Sequence, residues 1–367
     1  MQLTKQQIDY CMECGVCTGS CPISQERSQF SPRQMIKRTL VEVEDDILQS
    51  KDIWACLSCS RCSDRCPVGI DFPAFIRSYR EKALEVANQP SESHQGIFQT
   101  LTNIQTGGLE QDRIGWTKDA GKIAEKGDYF FFVGCLPYHN VVFQYLDLNM
   151  IDSAKDVLTI LNKLGIEPVV SNDERCCGHD AYWSGKQELF AKLAKKNVEV
   201  IKASGAKTVI FSCPEGYSTF KEHYPEVVGE LEFEIVHITE FLADKLADQP
   251  FSGSGGAVTF HDPCRLGRRS GIYEEPRQLI NLVPGTELKE MGNNRENAVC
   301  CGTTAWMECS SCSKTMQIQR LQEAKEAGAD TLITACPKCQ IHLTCAKSNT
   351  DIDVEVKDLY AYLAENL

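Results

Sequence analysis

Two cysteine runs constrain this chain more than any other feature: Cys11-Met-Glu-Cys14-Gly-Val-Cys17-Thr-Gly-Ser-Cys21-Pro22 and Cys56-Leu-Ser-Cys59-Ser-Arg-Cys62-Ser-Asp-Arg-Cys66-Pro67. Both have the C-x2-C-x2-C-x3-C-P form, in which three thiolates of one run and the fourth of the other hold a [4Fe–4S] cube. The spacing therefore predicts two cubes, one on Cys11, Cys14, Cys17 and Cys66, the other on Cys56, Cys59, Cys62 and Cys21. Two such centres in one small region make a one-electron relay. A zinc module also takes four cysteines per site but has no need of this run.

The setting of these thiols follows from the rest of the chain. There are 20 cysteines in 367 residues, too sparse for a small disulfide scaffold and too many for ordinary cytosolic usage. The opening stretch MQLTKQQIDYCMECG has no basic region followed by an apolar one, so a cytoplasmic location with reduced thiols is expected, where clustered cysteines bind metal or do redox chemistry. Apolar runs such as YFFFVGCL fall well short of the roughly 20 residues of a membrane span. Membrane association is then expected only through a partner. A formal net charge of −13 without a Lys/Arg block argues against nucleic acid. No G-x-G-x-x-G fingerprint or P-loop occurs, which assigns any flavin or nucleotide to another subunit.

Beyond the N-terminal runs the pattern changes twice in the same way. DYFFFVGC matches AVTFHDPC, DERCCGHD matches NAVCCGTT, KTVIFSCPEG matches DTLITACPKC, and FEIVHITEFLADKL matches VEVKDLYAYLAENL. This is an internal duplication of α/β units whose short strands, separated by helices, should be parallel. The expected fold is α/β: a helical ferredoxin-like domain with two [4Fe–4S] sites over residues 1–90, a linker over 91–127 that packs on a neighbour, and duplicated units over 128–250 and 251–367. Within the first domain, residues 31–54 and FPAFIRSYREKALEVANQ have helical apolar spacing. The glycines of KASGA and EAGAD fall where helix C-caps belong. Loops at the carboxyl ends of parallel strands gather on one rim, and the repeated cysteine segments sit on those loops.

The second unit offers five thiolates, Cys264, Cys300, Cys301, Cys336 and Cys339, more than a closed zinc site or one cube uses. Gly302 can adopt positive φ and bring backbone N–H groups toward cluster sulfur. A lone Cys, then Cys-Cys-Gly, then Cys-x-x-Cys resembles the CCG-domain family of heterodisulfide reductases and of iron–sulfur subunits of glycolate, lactate and anaerobic glycerol-3-phosphate dehydrogenases. The whole arrangement is similar to the fused catalytic subunit of heterodisulfide reductases. That resemblance implies a non-cubane [4Fe–4S] cluster on the five cysteines, with an iron open to a substrate sulfur.

The first unit departs from the pattern. It keeps Cys135, Cys176, Cys177 and Cys213, but Gly216 stands where the second unit has Cys339. Four thiolates there could hold a further iron–sulfur cluster, a zinc ion or nothing, with His179 as a neighbour rather than a ligand. Cys309, Cys312 and Cys345 read as buried small hydrophobes. Trp306 and Met307 read as shielding, His261 as packing or tuning, and Arg265, Arg268 and Arg269 as a solvated basic group near the rim. Two functions follow. One is a heterodisulfide-reductase-like enzyme subunit acting on a disulfide or thiol, partnered by a flavoprotein or a membrane cytochrome. The other is a non-catalytic carrier between a flavin dehydrogenase and a quinone or membrane cytochrome.

Overall fold

The two N-terminal cysteine runs fold alike, and their backbone shows why. Glu13 (φ 49°) and Gly15 (φ 82°) lie in the left-handed region, as do Ser58 (φ 50°) and Ser60 (φ 64°) at the matching places of the second run. Such turns aim successive N–H groups into one concavity suited to anionic sulfur. Accordingly, Ser58 N–H donates to Cys56 Sγ at 3.4 Å. Each run continues into a short helix, Val16–Ser20 and Arg61–Asp64.

The computed structural model describes residues 8–41, 44–108, 110–253 and 255–367. The helical stretch expected over 31–54 is divided into Pro32–Leu40, Glu44–Gln49 and Asp52–Ala55, with residues 42 and 43 outside the described set. Ser31 caps the first piece, its hydroxyl accepting from Gln34 N–H at 3.2 Å. Phe72–Glu85 starts under an Asp71 cap and buries Phe72, Phe75, Ile76, Tyr79 and Ala83, an i, i+3, i+4, i+7 stripe.

The stretch over 91–127 packs on the second unit. Residue 109 aside, it holds the 3-10 turns Ser93–Gly96 and Gly115–Asp119 and the helix Ile97–Ile104. Ser93 N–H donates to Trp306 O at 2.8 Å, and Glu308 N–H to Ser91 O at 2.9 Å, tying it to the second unit.

Both duplicated units are parallel sheets. In the first, β1 (Tyr129–Phe132), β2 (Thr208–Phe211) and β3 (Glu234–His237) lie in the order β1-β2-β3. In the second, β4 (Gly256–His261), β5 (Thr286–Leu288), β6 (Thr331–Thr334) and β7 (Glu355–Asp358) lie in the order β5-β4-β6-β7. The first unit's counterpart of β5 is a bridge at Val169 beside Phe130. The crossover helices Gln187–Ser204 and Ser311–Glu326 are followed by left-handed Gly205 and Gly328. Leu359–Ala364 packs on Met150–Lys163, and Tyr360 Oη donates to Ser212 O at 3.0 Å, so the units face one another at the cysteine rim. Among the described residues no helix is long and apolar enough to cross a membrane.

Candidate metal centres

Strand ends place the sulfurs. Cys135 and Cys264 follow β1 and β4 by three residues, and Cys213 and Cys336 follow β2 and β6 by two. Cys213 and Cys336 are also the N-caps of helices that begin with proline, where the helix dipole favours negative charge.

The eight N-terminal cysteines fall into two groups. Cys11, Cys14, Cys17 and Cys66 line a cavity with Met12, Val16 and Val68, and Cys14 is exposed. Cys21, Cys56, Cys59 and Cys62 line a second, and all but Cys21 are buried. Cys62 reaches both cavities. Burial pushes the Cys21 thiol up to about 12, and the charges of Cys59 and Cys56 add to it. The fourth cysteine of the first run therefore lies with the second run. The Val16–Ser20 helix carries the chain past Cys17 and releases Cys21 at its C-cap.

In the second unit the five cysteines act on one another's titration in one continuous series: Cys264 with Cys300, Cys300 with Cys301, Cys301 with Cys339, and Cys339 with Cys336. Donation from Cys300, then from Cys339, lowers Cys301 to about 5 although it is buried. One sulfur thus gives up its proton more readily than its neighbours, a donor set that releases protons when a metal binds. Gly302 takes φ +85°, and a Cβ there would stand 2.8 Å from the Ser313 carbonyl oxygen. Gln317 Nε2 holds the Cys301 carbonyl at 3.1 Å, and His342 Nδ1 lies 3.8 Å from Cys301 Sγ.

The first unit is built differently. The Cys135 thiol donates to Cys176 Sγ at 3.3 Å, and Gly178 N–H to the same sulfur at 3.4 Å. Donation from Cys135, then from Cys177, holds Cys176 well below the usual thiol range. Cys213 instead feels Cys336 of the other unit and Glu215. At Gly216 a Cβ would lie 3.1 Å from the Phe211 ring, so the space of the missing cysteine is taken by an aromatic side chain.

Glu215 and Lys338 hold the same place in the two Cys-Pro-x segments, and they meet. Lys338 Nζ is 2.7 Å from Glu215 Oε2 and 2.7 Å from Asp180 Oδ1, and its side chain is 4% exposed. His179 Nε2 lies 3.3 Å from Glu215 Oε1, and its Nδ1 is 3.1 Å from Thr219 Oγ1. Ligand atoms of His179, Asp180 and Glu215 lie within 4.8 Å of one another, close enough for a metal ion. Lys338 supplies the cation there, inside the cavity lined by Cys135, Cys176, Cys177 and Cys213.

Several residues sit otherwise than the sequence suggests. Arg265, Arg268 and Arg269 are not a solvated group, because the rim they occupy faces the N-terminal region. Arg265 packs 4.3 Å from the Trp183 ring centre. Arg268 Nε donates to Cys59 O at 2.9 Å and its Nη1 to Ala298 O at 2.6 Å, while Arg269 Nε donates to Glu222 Oε2 at 2.9 Å. Cys309 is exposed and Cys345 accepts from Lys314 Nζ at 3.0 Å. Among the described residues Cys309, Cys312 and Cys345 make no thiol contact with the five cysteines. Trp306 and Met307 are buried, and Trp306 stacks on Phe98 of the linker at 4.1 Å. His261, fully buried at the end of β4, is lowered to about 3 by burial and stays neutral. Lys338, His342 and Arg80 escape a reading by motif. The signal for Lys338 was its place between two cysteines, and for His342 its place one helical turn after Cys339.

Known proteins resemble this chain in sequence and in fold. The 4Fe-4S dicluster domain family matches residues 7–70, and the Cysteine-rich domain family, CCG, matches residues 129–221 and 258–344. A subunit of the dihydromethanophenazine:CoB--CoM heterodisulfide reductase of Methanosarcina acetivorans is 30% identical, over 98% of this chain and 94% of that subunit. A subunit of the fumarate reductase (CoM/CoB) of Methanothermobacter marburgensis is 27% identical over 96% of this chain and 71% of its own length. The EtfAB:quinone oxidoreductase of Syntrophomonas wolfei is 27% identical over 90% of this chain, which spans just over half (54%) of that protein. A crystal structure of a hypothetical protein from Helicobacter pylori shares the fold, with a TM-score of 0.54 at 13% identity over 91% of this chain and 66% of the other. The donor sets and cavities fit iron–sulfur clusters, and the chain is an iron–sulfur oxidoreductase component with an electron-transfer role. Because its likeness to the Methanosarcina heterodisulfide reductase component runs nearly end to end through a dicluster domain and two CCG domains, the chain belongs to that family of iron–sulfur proteins.

Proposed function

We propose that this chain is the sulfur-reactive subunit of a heterodisulfide-reductase-like complex, exchanging electrons between a partner and a disulfide/thiol substrate. Cys11, Cys14, Cys17 and Cys66 would hold the outer cube, and Cys21, Cys56, Cys59 and Cys62 the inner one. Cys264, Cys300, Cys301, Cys336 and Cys339 would hold the non-cubane cluster that the family resemblance implies. When bound, the cubes pass single electrons and the third centre offers an iron to a substrate sulfur. Reduction of a disulfide takes two electrons and two protons and yields two thiols. The partner would be a flavoprotein subunit or a membrane cytochrome.

The observation that carries this reading is the set of five mutually interacting sulfurs in the second unit, joined to the Cys59 loop by Arg268. The protein's own part is positional. Gly302 and Gln317 hold the Cys300–Cys301 turn, and His342 stands against Cys301. Lys338 neutralises Glu215 and Asp180 where the two units meet.

A second reading, a carrier without a substrate, is favoured by Gly216 and by the lysine inside the four-cysteine cavity, since no second five-sulfur site faces the first. On either reading Cys135, Cys176, Cys177 and Cys213 would take a further iron–sulfur cluster or zinc. Iron and acid-labile sulfide content with EPR of the anaerobic protein, with and without thiols, separates the two. A signal from the oxidised protein that appears only with thiol supports the reductase. Full iron content with no thiol response would leave the carrier.

A further inference from the structure

Between the inner N-terminal cysteine set and the five-cysteine set runs a seam of buried cations short of anions. Arg61, Arg265 and Arg320 are 8%, 3% and 0% exposed, and Arg268 is half-buried. Among the described residues the one carboxylate in an ion pair with any of the four is Glu323, 2.5 Å from Arg320. Asp262 is already engaged by Arg277 at 2.7 Å. Arg61 Nε, Arg265 Nη1, Arg268 Nη2 and Arg320 Nε and Nη2 have no hydrogen-bond partner among the described residues, and neither ring nitrogen of His261 has one.

Buried guanidinium groups without counter-charge are costly. Besides Glu323 and the already paired Asp262, the groups that reach them are sulfurs that would become anionic on holding a cluster: Cys59, Cys264 and Cys300 act on Arg268, and Arg265 acts on Cys56 and Cys264. Arg268 also spans the gap physically. Its Nε binds the Cys59 carbonyl and its Nη1 the carbonyl of Ala298, two residues before Cys300. The outer set has no such buried group: Arg33 on its cavity wall is half-buried, and Lys37 is exposed and paired with Glu13 at 3.0 Å.

We propose that Arg268, backed by Arg61, Arg265 and Arg320, is a positioning residue of the electron route: it fastens the Cys59 loop to the Cys300 loop and lowers the cost of placing an electron on the inner set. The inference rests on the function proposed above. Net charge near a cluster is one of the levers on its potential. Electrons therefore gather on the inner set, beside the five-cysteine site. Each electron gained there oxidises the outer set by one, with no bond broken and no proton moved.

The test is an anaerobic, EPR-monitored redox titration of the cluster-loaded full chain carrying Arg268→Gln, Arg268→Lys or Arg61→Gln, with iron content measured on each. Arg268→Gln should keep its iron and lower the inner potential while leaving the outer one in place, shifting the inner–outer partition of the electron about tenfold, or 59 mV for one electron. Arg268→Lys, which keeps the charge, should restore most of this. Arg61→Gln, which removes charge without removing the bridge, should shift the inner potential the same way by less. Unchanged potentials in Arg268→Gln, equal shifts in the Gln and Lys variants, or a matching shift of the outer set would overturn the proposal. Should Arg268→Gln lose iron, Arg61→Gln decides, and an unmoved inner potential there sinks it. No sulfur substrate enters the titration. A negative result beside an intact thiol-dependent EPR signal removes the seam and leaves the function standing.

Discussion

At the scale of single residues, two glycines do opposite things. Gly302 lets the chain turn at φ +85° against the Ser313 carbonyl, and a methyl there would meet backbone that cannot step aside. Gly302→Ala should cost about 2 kcal/mol or more and deplete the cluster on that unit, read as a lower thermal midpoint and lower iron content. Gly216 is instead where a ligand is missing and Phe211 fills the room. The asymmetry predicts that Cys339→Ala abolishes the thiol-dependent EPR signal while Cys213→Ala leaves it. Equal loss in both would mean that the units share one centre through the Cys213–Cys336 approach. Cys309 and Cys312, without thiol contacts to the five, are expected to keep full iron content when both become serine. A deficit of one whole cluster would make them ligands.

Among the elements, equivalent segments diverge where their neighbours differ. His179–Trp183 is helical in the first unit, whereas the matching Thr303–Met307 segment is not. There Ala305, Trp306 and Glu308 all take positive φ, and the linker's Ser91 and Ser93 pair with the loop. The β7 junction gives a test by pH. Asp358 caps the last helix, its Oδ2 accepting from Tyr360 N–H at 3.2 Å. Burial raises it from 3.8 to about 7, with the nearby Asp156 adding to the rise. The folded state thus binds the proton more tightly than the unfolded one, so this contribution is full near pH 4 and is lost as pH rises through 7. Asp358→Asn keeps a capping oxygen and does not titrate. Relative to wild type, its stability should climb between pH 4 and pH 7 in denaturation curves. A flat difference would show that the carboxyl is not held up.

For the whole molecule, buried arginines hold the three regions together. Arg80 is fully buried, with Nε on Ile53 O at 2.9 Å, Nη2 on Cys56 O at 2.6 Å and Nη1 on Trp183 O at 2.8 Å. It ties the inner cysteine loop to the first unit, as Arg268 ties it to the second. Arg80→Ala strands those carbonyls and should destabilise the protein by roughly 3 kcal/mol or more, seen as an earlier denaturation midpoint. Cys59→Ser should in turn stop reduction by an external donor while the five-cysteine centre still assembles. Loss of all iron in that variant would mean that the regions cannot load independently.

The sequence by itself determined which sulfurs belong to which motif, the duplication, the parallel sheets and the family, because those features are local: fixed spacing, two-residue and 3.6-residue periodicity, and strands that end in a cysteine loop. It left open what each motif faces. Glu215 meeting Lys338, Arg268 reaching from one unit to the Cys59 loop, and His342 standing beside Cys301 all join residues that no spacing relates. The arginines of CRLGRRS look solvated in the sequence because charge there implies water. Only the tertiary structure decides otherwise, packing that rim against the N-terminal region, where carbonyls such as Cys59 O and Ala298 O take up the guanidinium.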